Sequence, residues 1–296
     1  MRNYFILFCV TLSIGLQAQI QQNINKPSGT VSNPIAEIDS IIFNAAGDEM
    51  QVVLQSGETL SHVLDEIDSV TFFNITDPSA HSCGASNVHN PDLEFGTMTD
   101  QEGNVYKTIV IGTQEWMAEN LNTGTYRNGD PIPIGITDSD WFNAGNLSLA
   151  ACAYFNNDIL YGCPHGKLYN FYAVADPRNL CPTGWHVPTD DEWTLLTSFL
   201  GGEDIAGGKM KISGVQWWFG PNQDATDESG FSAMASGLRS VFGSFDVMGY
   251  FNRYWSSTYI DFGGMAWFRG LSYSTDDVWR STDQWRNGYS VRCLKD

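Results

Sequence analysis

Apolar side chains at Met50, Val52 and Leu54 fall on every second position, the period of a strand with one buried face. Ser56-Gly57 offers a turn and Thr59 to Leu64 leads back, so the stretch predicts a hairpin. Ile38-Asp39-Ser40 recurs as Ile67-Asp68-Ser69, an offset of 29, and each copy precedes an apolar run of β type. Two copies are too few for a solenoid, and residues 19–75 are expected to form a small β-rich module. Periodicity then disappears. Residues 76–90 are mostly turn formers and small polar residues, the composition of a linker.

Beyond residue 90 short strands alternate with turns, and Gly and Trp become frequent. A turn at Gln101–Asn104 precedes a strand from Val105 to Ile111, and Gly112-Thr113 separates it from a second at Glu115–Ala118. The clearest helix signal lies in CPTGWHVPTDDEWTLL, residues 181–196. Thr189 and Glu192 have the spacing of a capping box, in which the hydroxyl caps a backbone N–H and the glutamate reaches back. Asp190 and Asp191 then fall in the first turn, where the helix dipole favours anions. Trp193, Leu196, Phe199 and Leu200 follow at helical spacing, which predicts a helix over 190–200. Gly201-Gly202 is expected to stop it, with 201–211 read as a stop and a loop that fails the P-loop spacing. A catalytic pairing of His186 with Asp190 is set aside, because helix initiation already uses each acid of the cluster. The fold class is α+β.

Charge narrows the partners. The net charge is −19, with nine acids against Lys26 in residues 19–80 and 25 acids against 13 bases in 81–296. Phosphate backbones and anionic lipid heads are repelled by such surfaces, so no nucleic acid is expected as a partner. The N-terminus has Arg2, an apolar run from Tyr4 to Leu16, and Gln17-Ala18-Gln19. That is the pattern of a signal peptide over 1–18, and the run is too short to span a membrane. No membrane insertion is expected after its removal. Five cysteines would remain, Cys83, Cys152, Cys163, Cys181 and Cys293. In an oxidising compartment this number implies two disulfides and one leftover thiol. No Cys-x-x-Cys pair marks a zinc or redox site.

Five segments carry a resemblance: DQEGNVYKTIVIGTQEWMAENL (100–121), YGCPHGKLYNFYAV (161–174), CPTGWHVPTDDEW (181–193), YWSST (254–258) and GYSVRCLKD (288–296). In this order they resemble the Fibrobacter succinogenes major paralogous domain (FISUMP), over residues 91–296. The Ile-Asp-Ser module in front resembles one found before exported bacteroidete domains. The resemblance implies a C-type lectin-like domain, related in fold to formylglycine-generating enzymes, and an exported protein. It implies no reaction. The copper-binding cysteine pair of formylglycine-generating enzymes has no counterpart between Cys181 and Cys293, and the Glu-Pro-Asn and Trp-Asn-Asp motifs of calcium-dependent lectins are absent. In a lectin-like fold the first helix and the last strand are neighbours, which implies a Cys181–Cys293 disulfide. For the second bridge, Cys152–Cys163 around a hairpin at 153–162 stands beside Cys83 with either cysteine.

No catalytic residue, metal ligand or cofactor is assigned. Oxygen-rich loops at 156–162 and 221–230 lack EF-hand spacing, so calcium is without motif support. Segment 245–289 interleaves aromatic residues with Ser, Thr, Gly, Asp and Arg, a composition shared by recognition surfaces. Trp255, Trp267 and Tyr289 read as core. Tyr259, Tyr273, Trp279 and Trp285 are the candidates for ligand contact. The resulting expectation is a secreted, periplasmic or cell-surface module, non-enzymatic, binding a glycan or protein through its C-terminal aromatic loops. A structural or adhesive envelope protein without a ligand, and a hydrolase using dispersed acids, are the alternatives.

Overall fold

The computed structural model describes residues 20–26, 29–34, 38–43, 49–54, 56, 58–63, 69–74, 80–134, 137–260 and 263–296. The leader read over 1–18 lies outside them. The chain divides into two compact units, residues 1–76 and 77–296. In the first, strands Ile20–Lys26, Gly29–Pro34 and Ser69–Asn74 form one antiparallel sheet, and Ile38–Phe43, Glu49–Leu54 and Thr59–Val63 form another. The expected hairpin is present, with Val53 opposite Thr59 and Met50 opposite His62. Met50, Val52 and His62 are buried on its inner face. The two Ile-Asp-Ser copies lead into strands of different sheets.

The second unit is mostly short strands with few helices. Val105–Ile111 and Gln114–Met117 close a two-residue hairpin across Gly112, whose φ of +64° suits a residue without Cβ. They belong to a five-stranded sheet that also holds Gly96–Thr99, Leu294–Lys295 and Trp185–His186. A second five-stranded sheet runs Cys152–Ala153, Leu168–Asn170, Gly288–Tyr289, Leu238–Arg239, Phe245–Asp246. Phe251–Ile260, Met265–Ser272 and Trp279–Gln284 form a three-stranded antiparallel meander. Among the described residues no helix is long and apolar enough to cross a membrane.

The helix predicted at 190–200 spans Asp190–Phe199. Thr189 accepts from the Glu192 backbone N–H and Glu192 accepts from that of Thr189 at 2.7 Å, so the capping box is complete. Trp193 and Leu196 are fully buried, whereas Phe199 is 63% exposed. The reading of 201–211 as stop and loop needs correction. Gly201 and Gly202, both at φ above +100°, do end the helix, but Glu203–Met210 is a second one. Its Gly207 and Gly208 are sites of close approach. A Cβ on Gly207 would lie 2.3 Å from Asp277 O, and one on Gly208 would lie 2.6 Å from Asp224 O. Gly207 and Gly208 are contact points for neighbouring backbone.

Cys181 and Cys293 are bonded, beside the pairing of Trp185 with Lys295 and His186 with Leu294. The second bridge is Cys83–Cys163. The Cys152–Cys163 alternative fails because Cys152 sits in a strand, wholly buried, and remains a thiol. Residues 153–162 form two 3-10 turns, Phe155–Asn157 and Ile159–Tyr161, in place of the hairpin. The stretch read as a linker also differs from its composition: Ala80, His81, Val88 and His89 are buried in the second unit, and Cys83 fastens it.

Candidate functional site

The meander places the aromatic candidates. Trp279 starts its third strand opposite Gly270, where a Cβ would come within 2.0 Å of the indole. The ring lies over the meander and stacks on Phe251 at 5.4 Å. From there the aromatic row continues through Tyr273 and Tyr250 to Phe219, with centroid spacings of 6.4, 5.2 and 4.6 Å. Phe219 is 51% and Tyr250 43% exposed, while Phe251, Tyr273 and Trp279 are half-buried. Arg253 lies 5.8 Å from the Trp279 ring and pairs with Asp283 at 3.1 Å, so polar groups border the row.

Trp285 follows the other end of the same strand. It touches Phe171 at 4.9 Å, Tyr259 at 5.4 Å and Tyr172 at 5.5 Å. Tyr259 is 48% exposed, and the half-buried Trp285 has an indole N–H without a hydrogen-bond partner. The four candidates therefore fall in two clusters, Tyr273 with Trp279 and Tyr259 with Trp285, separated by the length of a six-residue strand. Trp255 and Tyr289 are buried as expected. Trp267 is only half-buried, and the Arg280 guanidinium covers it at 3.8 Å. Phe219 and Tyr172 escaped notice because they lie outside 245–289. The Trp-Trp-Phe run at 217–219 was the signal for one of them.

His186 and Asp190 do not pair. His186 meets Asp296 at 2.7 Å and Glu192 at 3.0 Å. Asp190 is instead gripped by Arg269 at 2.5 Å and Arg280 at 2.6 Å. Burial pushes the Asp190 carboxyl up, but the two guanidiniums outweigh it and hold it below the usual range. The loop 221–230 turns its Gln223 carbonyl to a cation, but that cation is Lys211. Its ammonium donates to Gln223, Ser272 and Thr275 carbonyls at 2.9, 2.8 and 2.6 Å. In the other oxygen-rich loop, Asp158 caps the Leu160 N–H.

The third feature is a buried polar centre. Glu119 Oε1 accepts from His89 Nε2 at 2.9 Å and from the Ser82 N–H at 2.7 Å, with His81 Nε2 at 3.4 Å. Burial disfavours the charged carboxylate, yet His81, His89 and Ser82 hold the Glu119 carboxyl down at about 2. Burial pushes His81 down to about 3 despite the pull of Glu119, so its ring is neutral. Beside it, fully buried Arg292 donates to Asn120 Oδ1 at 2.8 Å and to the Met117 and Ser232 carbonyls at 3.0 Å each. Asn120 in turn donates to the His165 carbonyl at 2.9 Å. Segments 100–121, 161–174 and 288–296 thus meet at one polar knot, in which Glu119, His89, Asn120 and Arg292 are hydrogen-bonded as burial requires, while His81 Nε2 has no hydrogen bond.

The family model described as Fibrobacter succinogenes major domain matches residues 109–295. No curated protein and no solved structure matches the chain.

Proposed function

The chain belongs to the Fibrobacter succinogenes major domain family, and from that premise we propose an exported, non-enzymatic binding module of C-type lectin-like fold whose ligand is a glycan. The supporting observation is the row Phe219–Tyr250–Tyr273–Phe251–Trp279, partly open and bordered by Arg253 and Asp283. Stacked, rigid rings give contact area at small entropic cost, and adjacent charged groups supply hydrogen bonds to hydroxyls. The two disulfides agree with an exported protein. The non-enzymatic reading is supported by the acids' commitments: Asp190 to two arginines, Glu192 to the helix cap and Glu119 to two histidines.

A glycan array probed with the oxidised full chain, followed by affinity electrophoresis on the retained polysaccharide, tests the proposal. Tyr250→Ala should leave melting within a few degrees and weaken retention at least tenfold. Retention unaffected by both Tyr250→Ala and Phe219→Ala would reject the row as the contact surface. The tight seating of Trp279 over Gly270 and of Trp285 on Phe171 favours a second reading, an envelope protein in which these rings only pack. An array with no retained glycan would support that reading.

A further inference from the structure

Residues 80–92 precede the stretch matched by the family model, yet they build one wall of the buried polar centre. His81 Nδ1 lies 2.8 Å from Cys83 Sγ, and the donor atoms of His81, Cys83 and Cys163 all fall within 4.8 Å of one another. The Cys83 backbone N–H donates to the same Nδ1 at 3.3 Å, so this is the unprotonated ring nitrogen, and a metal held by the neighbouring sulfurs would take its lone pair in place of that N–H. The other ring nitrogen, buried and without a hydrogen bond, faces Glu119 Oε1 at 3.4 Å. A neutral imidazole with its unprotonated nitrogen beside two sulfurs and its N–H toward a buried carboxylate has the donor placement of a metal-bound histidine with its outer carboxylate.

We propose that reduction of the Cys83–Cys163 disulfide converts this triad into a zinc site, with His81 Nδ1 and the two thiolates as ligands, Glu119 as the outer carboxylate and the fourth position left to water. Two sulfurs and one nitrogen suit Zn(II). A tetrahedral ion with bonds near 2.3 Å holds its sulfurs roughly 3.8 Å apart. Side-chain rotation reaches that spacing between Cα atoms 6.1 Å apart. Reduction itself is balanced by a dithiol, or in vitro by a phosphine. The S–S bond breaks, two electrons enter, and each sulfur takes a proton; the phosphine leaves as its oxide with oxygen from water. Zinc then displaces both protons. Selectivity follows from burial, since Cys83 and Cys163 are partly exposed whereas Cys181 and Cys293 are buried. No local motif marks the site, because its donors come from segments 80 residues apart.

The experiment uses the full chain under mild phosphine, with peptide mapping to show Cys181–Cys293 intact, near-ultraviolet circular dichroism to follow the fold, and native mass spectrometry with added Zn(II). The reduced protein should bind one zinc and the oxidised protein none. Cobalt substitution should give thiolate-to-metal charge-transfer absorption. His81→Gln, which keeps both cysteines and can be checked for disulfide formation when oxidised, should weaken zinc binding at least tenfold. Glu119→Gln should weaken it by about 10–100-fold. Failure of the reduced protein to bind zinc, equal affinity in His81→Gln, or loss of the fold on reduction would each overturn the proposal.

Discussion

Replacing Asp190 with Asn keeps the shape of the helix entrance and removes one charge. In the native protein that carboxylate faces Arg269, whose side chain is 1% exposed, and Arg280, which is 39% exposed. The Arg280 contact resembles a surface pair and is worth about 0–1 kcal/mol. Arg269 is different, because its guanidinium would stay in the interior without the carboxylate it is paired with. Breaking such a buried pair costs about 3–5 kcal/mol. For a unit of this size each kcal/mol lowers Tm by about 2–4 °C, so Asp190→Asn should melt roughly 6–20 °C below the wild type. The pH dependence follows from the depressed carboxyl. Its stabilisation is complete above the ordinary carboxylate pKa of about 3.9 and is lost as pH falls through the lower folded value. The gap between the two proteins should therefore be widest near neutrality and narrow below about pH 4. Calorimetry across this range checks both statements. A neutral-pH gap under about 2 °C, or one unchanged in acid, would refute the reasoning.

Thr189→Ala removes the hydroxyl that caps the Glu192 N–H and should cost about 1 kcal/mol, measured as a lower urea midpoint at constant slope. Gly207→Ala improves helix propensity, by about 1 kcal/mol in an open helix, but its Cβ would collide with Asp277 O; net destabilisation is expected, and a raised Tm would contradict the close-approach account. Burial pushes the Cys152 thiol up to about 12, so iodoacetamide should label it only after unfolding, and labelling of the native protein at neutral pH would show the site to be open.

Local chemistry was legible from residues alone. The Thr189–Glu192 box, the Gly112 turn and the alternation at 50–54 each depend on neighbours a few positions away, and all appear in the structure. The Cys181–Cys293 bridge was accessible only through the family resemblance, since it joins residues 112 apart. Where local rules misled, a distant segment had changed their meaning. Residues 201–211 read as a stop and loop because the carbonyls that Gly207 and Gly208 approach, those of Asp276, Asp277 and Asp224, come from elsewhere in the chain. Residues 76–90 read as a linker because turn formers look solvated, but His81 and His89 hydrogen-bond or abut Glu119, about 30 to 40 positions away.

The buried cations show the division most clearly. Arg269, Arg292 and Lys211 carry charges that composition assigns to the surface. Only the folded chain supplies Asp190 for the first, the Met117 and Ser232 carbonyls for the second and three loop carbonyls for the third. The aromatic residues of 245–289 could likewise be counted from the sequence as possible contacts, but strand register sorted them into core, half-buried row and exposed rim. Propensity, capping and turn geometry act over a few residues, so the sequence alone determined where several elements begin and end. Burial and the satisfaction of buried polar groups depend on which segments meet, and that was decided only by the tertiary structure.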